Sequence, residues 1–128
     1  MGPEQIRSLR LKLGVKNDTN ILVLSAPAEL NGLFGSLKQD KSKSVDLVVA
    51  FFIDKHSLDT KLENLALKLN KNAKLWLCWP KKSGRIRSGL SDEIVRQLGL
   101  SSGLVDTKVV SINENWSALR FNKRIESY

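Results

Sequence analysis

The feature that most constrains this chain is a nearly uninterrupted apolar run at residues 45–53, which reads VDLVVAFFI. A strand that is apolar at almost every position has no face for solvent, so both of its faces must be covered. Such strands are typical of the parallel sheets of α/β proteins, in which helices pack on the sheet. The run therefore predicts a central parallel strand in an α/β domain.

Shorter apolar runs at 20–25 (NILVLS) and 74–79 (KLWLCW) predict two further parallel strands, and segments with helical spacing of leucines separate the three. The segments 104–113 and 116–124 are joined closely enough to form an antiparallel hairpin. We predict one Rossmann-like open-sheet α/β domain over residues 1–128, with three parallel strands, a C-terminal antiparallel hairpin and three to four helices. The strand order is expected to be 1-2-3-5-4, with an N-terminal helix at 3–13 and a loose tail at 125–128.

If every crossover is right-handed, strands that step in one direction place all of their linking helices on one face. The opposite face then needs the N-terminal helix or a second subunit as cover, so a homo-oligomer is possible. The predicted sheet resembles the second half of an S-adenosylmethionine-dependent methyltransferase sheet, which also ends in an antiparallel hairpin. A resemblance at the level of the fold predicts no activity by itself.

Charge and cysteine content limit the classes of function. The net charge is +8 and the pI about 9.8, which favours contact with nucleic acid, phosphorylated ligands or acidic partners. A charged surface that serves only solubility is the alternative. The single cysteine, Cys78, excludes an internal disulfide and a zinc site built from several thiolates. No stretch reads as a signal peptide or a membrane span, so we expect a cytoplasmic protein without membrane contact.

Ligands of open parallel sheets bind outside the carboxyl ends of the strands. The third strand leads into WPKKSGRIR at 79–87, where lysines act as point charges, arginines as forks, and glycine allows close backbone approach. We therefore predict a non-enzymatic domain that binds an anionic small molecule or an acidic protein surface. The candidate ligand-binding residues are Trp79, Lys81, Lys82, Ser83, Gly84, Arg85 and Arg87, with Ser25, Asp54 and His56 at the neighbouring strand ends.

Nucleic acid is an alternative ligand for the same loop, with Trp79 as a stacking platform. The chain has no helix-turn-helix, RNP-type aromatic motif or GxxG clamp, which weakens this alternative. Trp76, Trp79 and Trp116 are more typical of core or interface positions, and an exposed Trp116 at the hairpin turn would mark a subunit contact.

Catalysis has little support in the sequence. The only histidine, His56, lies two residues from Asp54, and the pair could act as a general base. A helix start is the better interpretation, with Ser57 or Asp59 as the cap, because no nucleophile elbow accompanies the pair. No catalytic residue, metal site or cofactor is predicted.

The turn after the first strand argues against a dinucleotide cofactor. It reads SAPA, residues 25–28, without the glycines of a pyrophosphate-binding turn, and Pro27 lacks a backbone N–H. A degenerate methyltransferase-like protein that lost its cofactor turn is a further alternative.

Six segments in order, KLGVK, ILVLSAPAEL, VDLVVAFF, LWLCWPKKSG, GLVDTKV and NENWSALRFNKR, resemble the bacterial domain-of-unknown-function family numbered 3052, from about Leu11 to Arg124. The most specific motifs are WPKKSG at 79–84, GLVD at 103–106 and WSAL at 116–119, where the family usually has glycine in place of Ala118. The resemblance implies a small intracellular α/β protein and brings no reaction, ligand or catalytic residue with it.

Overall fold

A computed structural model describes residues 1–37 and 39–124, so the tail predicted at 125–128 lies outside the described residues. The helices are α1 (Pro3–Leu13), α2 (Asn31–Phe34, after a 3₁₀ turn at Ala28–Leu30), α3 (Lys55–Lys68) and α4 (Asp92–Ser101). The strands are β1 (Ile21–Leu24), β2 (Leu47–Phe51), β3 (Lys74–Pro80), β4 (Leu104–Ser111) and β5 (Trp116–Lys123). None of the helices in the described ranges has the length and apolar composition that crossing a bilayer requires.

The five strands form one sheet in the order β1-β2-β3-β5-β4, which confirms the predicted fold and strand order. β1, β2 and β3 are parallel, and β5 pairs antiparallel with both β3 and β4. Pro80 at the end of β3 lies opposite Trp116 at the start of β5. The turn of the β4–β5 hairpin therefore reaches the same edge of the sheet as the carboxyl ends of the parallel strands.

β2 behaves as the apolar run predicts, because all five of its residues are buried. Val48 and Ala50 pack against the side of the sheet that carries α3 and α4. Val49 and Phe51 pack against the opposite side, under α1 and α2. The sheet is thus the middle of three layers.

The prediction that the linking helices share one face is wrong. Leu58 and Leu62 of α3 lie on one side of the sheet, whereas Leu33 and Phe34 of α2 lie on the other. Because β1, β2 and β3 follow one another in one direction, the two parallel crossovers have opposite hands.

The short length of α2 accounts for this departure. The helix stops at Gly35, where an added Cβ would lie 2.5 Å from the Asn31 carbonyl oxygen. A single helical turn cannot cover a sheet face alone, so it packs beside α1. The Arg10 guanidinium fixes that contact by donating to the Leu33 carbonyl over 2.9 Å. The N-terminal helix and α2 together supply the cover for this face.

Candidate functional site

The loop after β3 is held in place by the hairpin turn of β4 and β5. The backbone N–H of Lys81 donates to the Asn115 carbonyl oxygen over 2.8 Å, and the N–H of Arg85 donates to Asn115 Oδ1 over 3.2 Å. The N–H of Gly84 closes the loop on itself through the Lys81 carbonyl at 3.0 Å. We call residues 81–87 the basic loop.

The sequence analysis assigned Gly84 to the close approach of a ligand, whereas its close neighbour in the structure is Asn115 of the hairpin turn. A Cβ at this position would lie 2.9 Å from Asn115 Oδ1 and 3.0 Å from Asn115 Cα. Asn115 is buried, with 4% of its surface exposed, so it cannot move aside easily. Glycine is therefore required for the basic loop to lie against the hairpin turn.

The four cations of the basic loop have different surroundings. Lys81 Nζ donates to the Ser111 hydroxyl, and Arg85 forms an ion pair with Glu29 at 3.5 Å. Lys82 and Arg87 are exposed, and neither makes an ion pair or a side-chain hydrogen bond with the described residues. Two charges of the loop are thus available to an external anion.

A small pocket of about 220 Å³ opens between the basic loop and the segment that follows it. Lys81, Lys82, Arg87 and Ser88 form its polar lining, and Pro80 and Leu90 are among its apolar lining residues. No carboxylate belongs to the lining. The pocket is therefore electropositive and lies at the sheet edge that the sequence indicates.

Glu29 is the central acceptor of this edge, and the sequence analysis missed it. Its Oε2 accepts hydrogen bonds from Asn113 Nδ2 at 2.9 Å and Asn115 Nδ2 at 3.1 Å. Its Oε1 accepts from Trp116 Nε1 at 3.1 Å and from the Arg85 guanidinium. Partial burial of the side chain, which is 25% exposed, acts to raise the pKa, but the hydrogen bonds from Asn115, Trp116 and Asn113 hold the pKa of Glu29 below its ordinary value.

Two tryptophans are placed differently from their predicted functional roles. Trp79 is 4% exposed and belongs to the core on the α3 side, so its indole cannot stack on a base in this conformation. Trp116 is 1% exposed and uses its indole N–H on Glu29, so it does not form an exposed subunit contact. We remove Trp79 from the candidate binding residues.

The other predicted site residues follow the neighbouring strands. Asp54 caps α3, accepting from Ser57 N–H at 2.7 Å and from the Ser57 hydroxyl, and these two bonds lower the pKa of Asp54. The prediction that Ser57 or Asp59 caps this helix is wrong, because Asp54 directly precedes the first helical residue. His56 is exposed in the first turn of α3.

Ser25, directly after β1, has a φ of 60°, the left-handed region that normally favours glycine. Cys78 is buried, and burial raises the pKa of its thiol, which confirms it as a core residue. Within residues 1–37 and 39–124, no three His, Cys, Asp or Glu side chains are grouped so that they could hold a metal ion.

Residues 17–125 match the family model described as "Protein of unknown function (DUF3052)". The chain belongs to this family. The match covers both the basic loop and the hairpin turn that holds it, so the resemblance carried by WPKKSG and WSAL is confirmed. No curated protein matches this DUF3052 chain.

Solved structures similar to this DUF3052 protein include S-adenosylmethionine-dependent methyltransferases. Magnesium protoporphyrin IX methyltransferase from Synechocystis PCC 6803 with bound SAH has a TM-score of 0.63 at 9% identity, covering 94% of this chain and 82% of that chain. A putative type 11 methyltransferase from Sulfolobus solfataricus has a TM-score of 0.59 at 14% identity, covering 99% and 95% respectively. A TehB-like SAM-dependent methyltransferase from Corynebacterium glutamicum has a TM-score of 0.55 at 9% identity, covering 94% and 87%. At these identities the likeness shows the fold alone.

Proposed function

We propose that this DUF3052 protein is a binding protein for a small phosphate-bearing molecule, which it holds at the basic loop. The observation that carries the proposal is the pocket at the carboxyl edge of the sheet, lined by Lys81, Lys82 and Arg87 and by no carboxylate. An anion in this pocket would find cations that are not neutralised by neighbouring acids. A concave site of this size fits a small anion better than a flat acidic protein surface.

The basic loop is suited to this role because its backbone is fixed before a ligand arrives. Hydrogen bonds from Lys81 and Arg85 to Asn115 order the loop in the absence of ligand. Pre-ordering lowers the entropic cost of binding, which is otherwise paid when a loop closes on its ligand. Arg87 would donate two hydrogen bonds to a phosphate, and Lys82 would add a positive point charge.

The remaining predicted residues would contribute less to anion binding than Lys82 and Arg87. Ser83 and Gly84 lie outside the pocket lining, and the N–H of Gly84 already donates to the Lys81 carbonyl, so their part would be to shape the loop. Ser25 and His56 would contact only a ligand that extends along the sheet edge. Asp54 is committed to the cap of α3, and its negative charge does not favour an anion. We therefore assign the main part to Lys82 and Arg87.

A cofactor-binding role is the second candidate, and a specific observation favours it. The chain shares its fold with methyltransferases, one of which holds SAH. Ser25, directly after β1, adopts the left-handed backbone that normally favours glycine, a residue typical of cofactor-binding turns. Pro27 opposes this candidate because it offers no N–H to a ligand. This candidate differs from a degenerate methyltransferase-like protein that lost its cofactor turn, because it would still bind S-adenosylmethionine.

Thermal unfolding with a ligand panel tests both candidates. The panel contains pyrophosphate, nucleotides, acyl and sugar phosphates, S-adenosylmethionine, and short DNA and RNA oligomers at low and moderate salt. A ligand at about 100 times its Kd stabilises the folded protein by about 2.7 kcal/mol, which raises Tm by several degrees. A shift with pyrophosphate or one small phosphate that persists at moderate salt supports the proposal, whereas a shift with oligomers alone at low salt favours nucleic acid.

Charge-reversed variants assign the response to the pocket. Lys82→Glu with Arg87→Glu should abolish the shift without lowering the Tm of the free protein. The matched control is Lys61→Glu with Lys71→Glu, two exposed lysines outside the pocket that make the same change in net charge. If the control loses the shift as fully as the pocket variant, net charge accounts for binding and the pocket does not.

A further inference from the structure

We propose that Glu29 is a positioning residue, which orders the basic loop and so raises its affinity for anions in spite of its own negative charge. The part of this inference that concerns affinity rests on the proposed function. The part that concerns the order of the loop stands on the geometry of the ligand-free protein.

The acceptor capacity of Glu29 is fully used within the protein. A carboxylate offers about four acceptor positions. Four donors occupy them: the side-chain amides of Asn113 and Asn115, the indole of Trp116 and the guanidinium of Arg85. Glu29 therefore has no free lone pair for a ligand hydroxyl, and it acts only on groups within the protein.

One of the donors of Glu29, Asn115, also supports the basic loop. Asn115 uses its amide nitrogen on Glu29 and its amide oxygen on the N–H of Arg85, so one buried side chain joins the carboxylate to the loop. Its carbonyl oxygen accepts from Lys81, and its Cα lies against Gly84. The nitrogen and the oxygen of the Asn115 side-chain amide are therefore both held by hydrogen bonds, and Glu29 accepts the one from the nitrogen.

The charge of Glu29 would give the opposite effect if it acted only as a counter-ion. A carboxylate 3.5 Å from the Arg85 guanidinium neutralises part of the positive field of the loop. Its removal would then strengthen anion binding. Positioning predicts weaker binding, because an amide in place of the carboxylate presents an NH₂ group to two of the four donors. The two roles are therefore distinguished by the sign of one measured change.

The experiment compares Glu29→Gln with Glu114→Gln. Glu114 is exposed in the same hairpin turn and accepts no side-chain hydrogen bond from the described residues, so its substitution removes the same charge without breaking the network. Pyrophosphate affinity is measured by calorimetry at fixed salt. We expect Glu29→Gln to weaken binding about fivefold or more and Glu114→Gln to leave it unchanged or slightly stronger. Equal or tighter binding by Glu29→Gln would overturn the effect on affinity.

Amide hydrogen exchange of the ligand-free variants separates this inference from the proposed function. Glu29→Gln should increase exchange in residues 81–87 while exchange in β2 and α3 stays as in the wild type. Unchanged exchange in the basic loop would refute the positioning role, whether or not pyrophosphate binds. If the wild type does not bind pyrophosphate but the loop still loosens in Glu29→Gln, the proposed function fails for this ligand and the positioning role holds. If Glu29→Gln is too unstable, Glu29→Asp provides the test, because it keeps the negative charge but withdraws the carboxylate from its donors.

Discussion

The indole N–H of Trp116 donates a hydrogen bond of 3.1 Å to Oε1 of Glu29, joining the start of β5 to the turn after β1 across 87 positions of the chain. Trp116 is buried beside Phe51, with ring centroids 5.3 Å apart at 81°. A side chain that packs a core and also satisfies a carboxylate contributes both apolar burial and a charge-assisted hydrogen bond.

Trp116→Phe is expected to destabilise the protein by more than the loss of ring volume alone. Hydrogen bonds to charged groups contribute about 1.5–3 kcal/mol, and the substitution leaves Oε1 of Glu29 without its indole donor. Trp79→Phe is the matched control, because Trp79 is equally buried but makes no side-chain hydrogen bond with the described residues. Urea unfolding of the two variants measures the difference. Equal losses of stability would contradict a contribution from the Glu29 hydrogen bond.

Glu29 should also add a pH-dependent contribution to stability. Its pKa is lower in the folded protein than its ordinary value of 4.5, so the folded state favours the ionised form. The contribution is fully present above pH 4.5 and disappears as the pH falls through the folded pKa. The free energy of unfolding of the wild type should therefore decrease below about pH 5 more steeply than that of Glu29→Gln. Parallel curves for the two proteins between pH 7 and pH 3 would contradict this expectation.

The sheet can be predicted from the sequence because the periodicity and length of each apolar run indicate how that segment is buried. The apolar run that becomes β2 can exist only in a covered sheet, and the closely joined segments at 104–113 and 116–124 can pair only as a hairpin. The position of the basic loop follows from the same reasoning, since it succeeds a buried parallel strand. Each of these features is determined by residues that are close to one another in the sequence.

The parts that the sequence does not predict depend on contacts between distant segments. Nothing near Glu29 indicates that Asn113, Asn115 and Trp116 will surround it. The layer into which the Trp79 indole points is equally hidden, because β3 is apolar on both faces and alternation cannot assign each indole to a layer. The opposite hands of the two crossovers arise from the packing of the short α2 against α1, which is a tertiary effect.

Gly99→Ala is expected to destabilise the protein strongly, although alanine favours helices. Gly99 lies in α4 directly against β5, and an added Cβ would overlap the ring of Phe121. Because Phe121 is fully buried, relief requires a shift of the helix or the ring, and overpacking of this kind costs about 1–3 kcal/mol or more. Gln97→Ala, at an exposed position of the same helix, should be neutral or slightly stabilising. A Gly99→Ala protein with the wild-type Tm would show that α4 does not lie this close to β5.

Ser25 provides a test of the backbone at the turn after β1. With its φ of 60°, a non-glycine residue incurs a cost of about 1–2 kcal/mol, which is largest for β-branched side chains. Ser25→Gly should therefore be neutral or stabilising, because the relief of strain offsets the greater freedom of glycine in the unfolded chain. Ser25→Val should lower stability by at least about 1 kcal/mol relative to Ser25→Gly. Thermal unfolding of the pair measures this difference, and a more stable Ser25→Val would exclude a left-handed residue at this turn. If Ser25→Gly also gains a Tm shift with S-adenosylmethionine that the wild type lacks, the Ser25 side chain blocks a cofactor site at this turn.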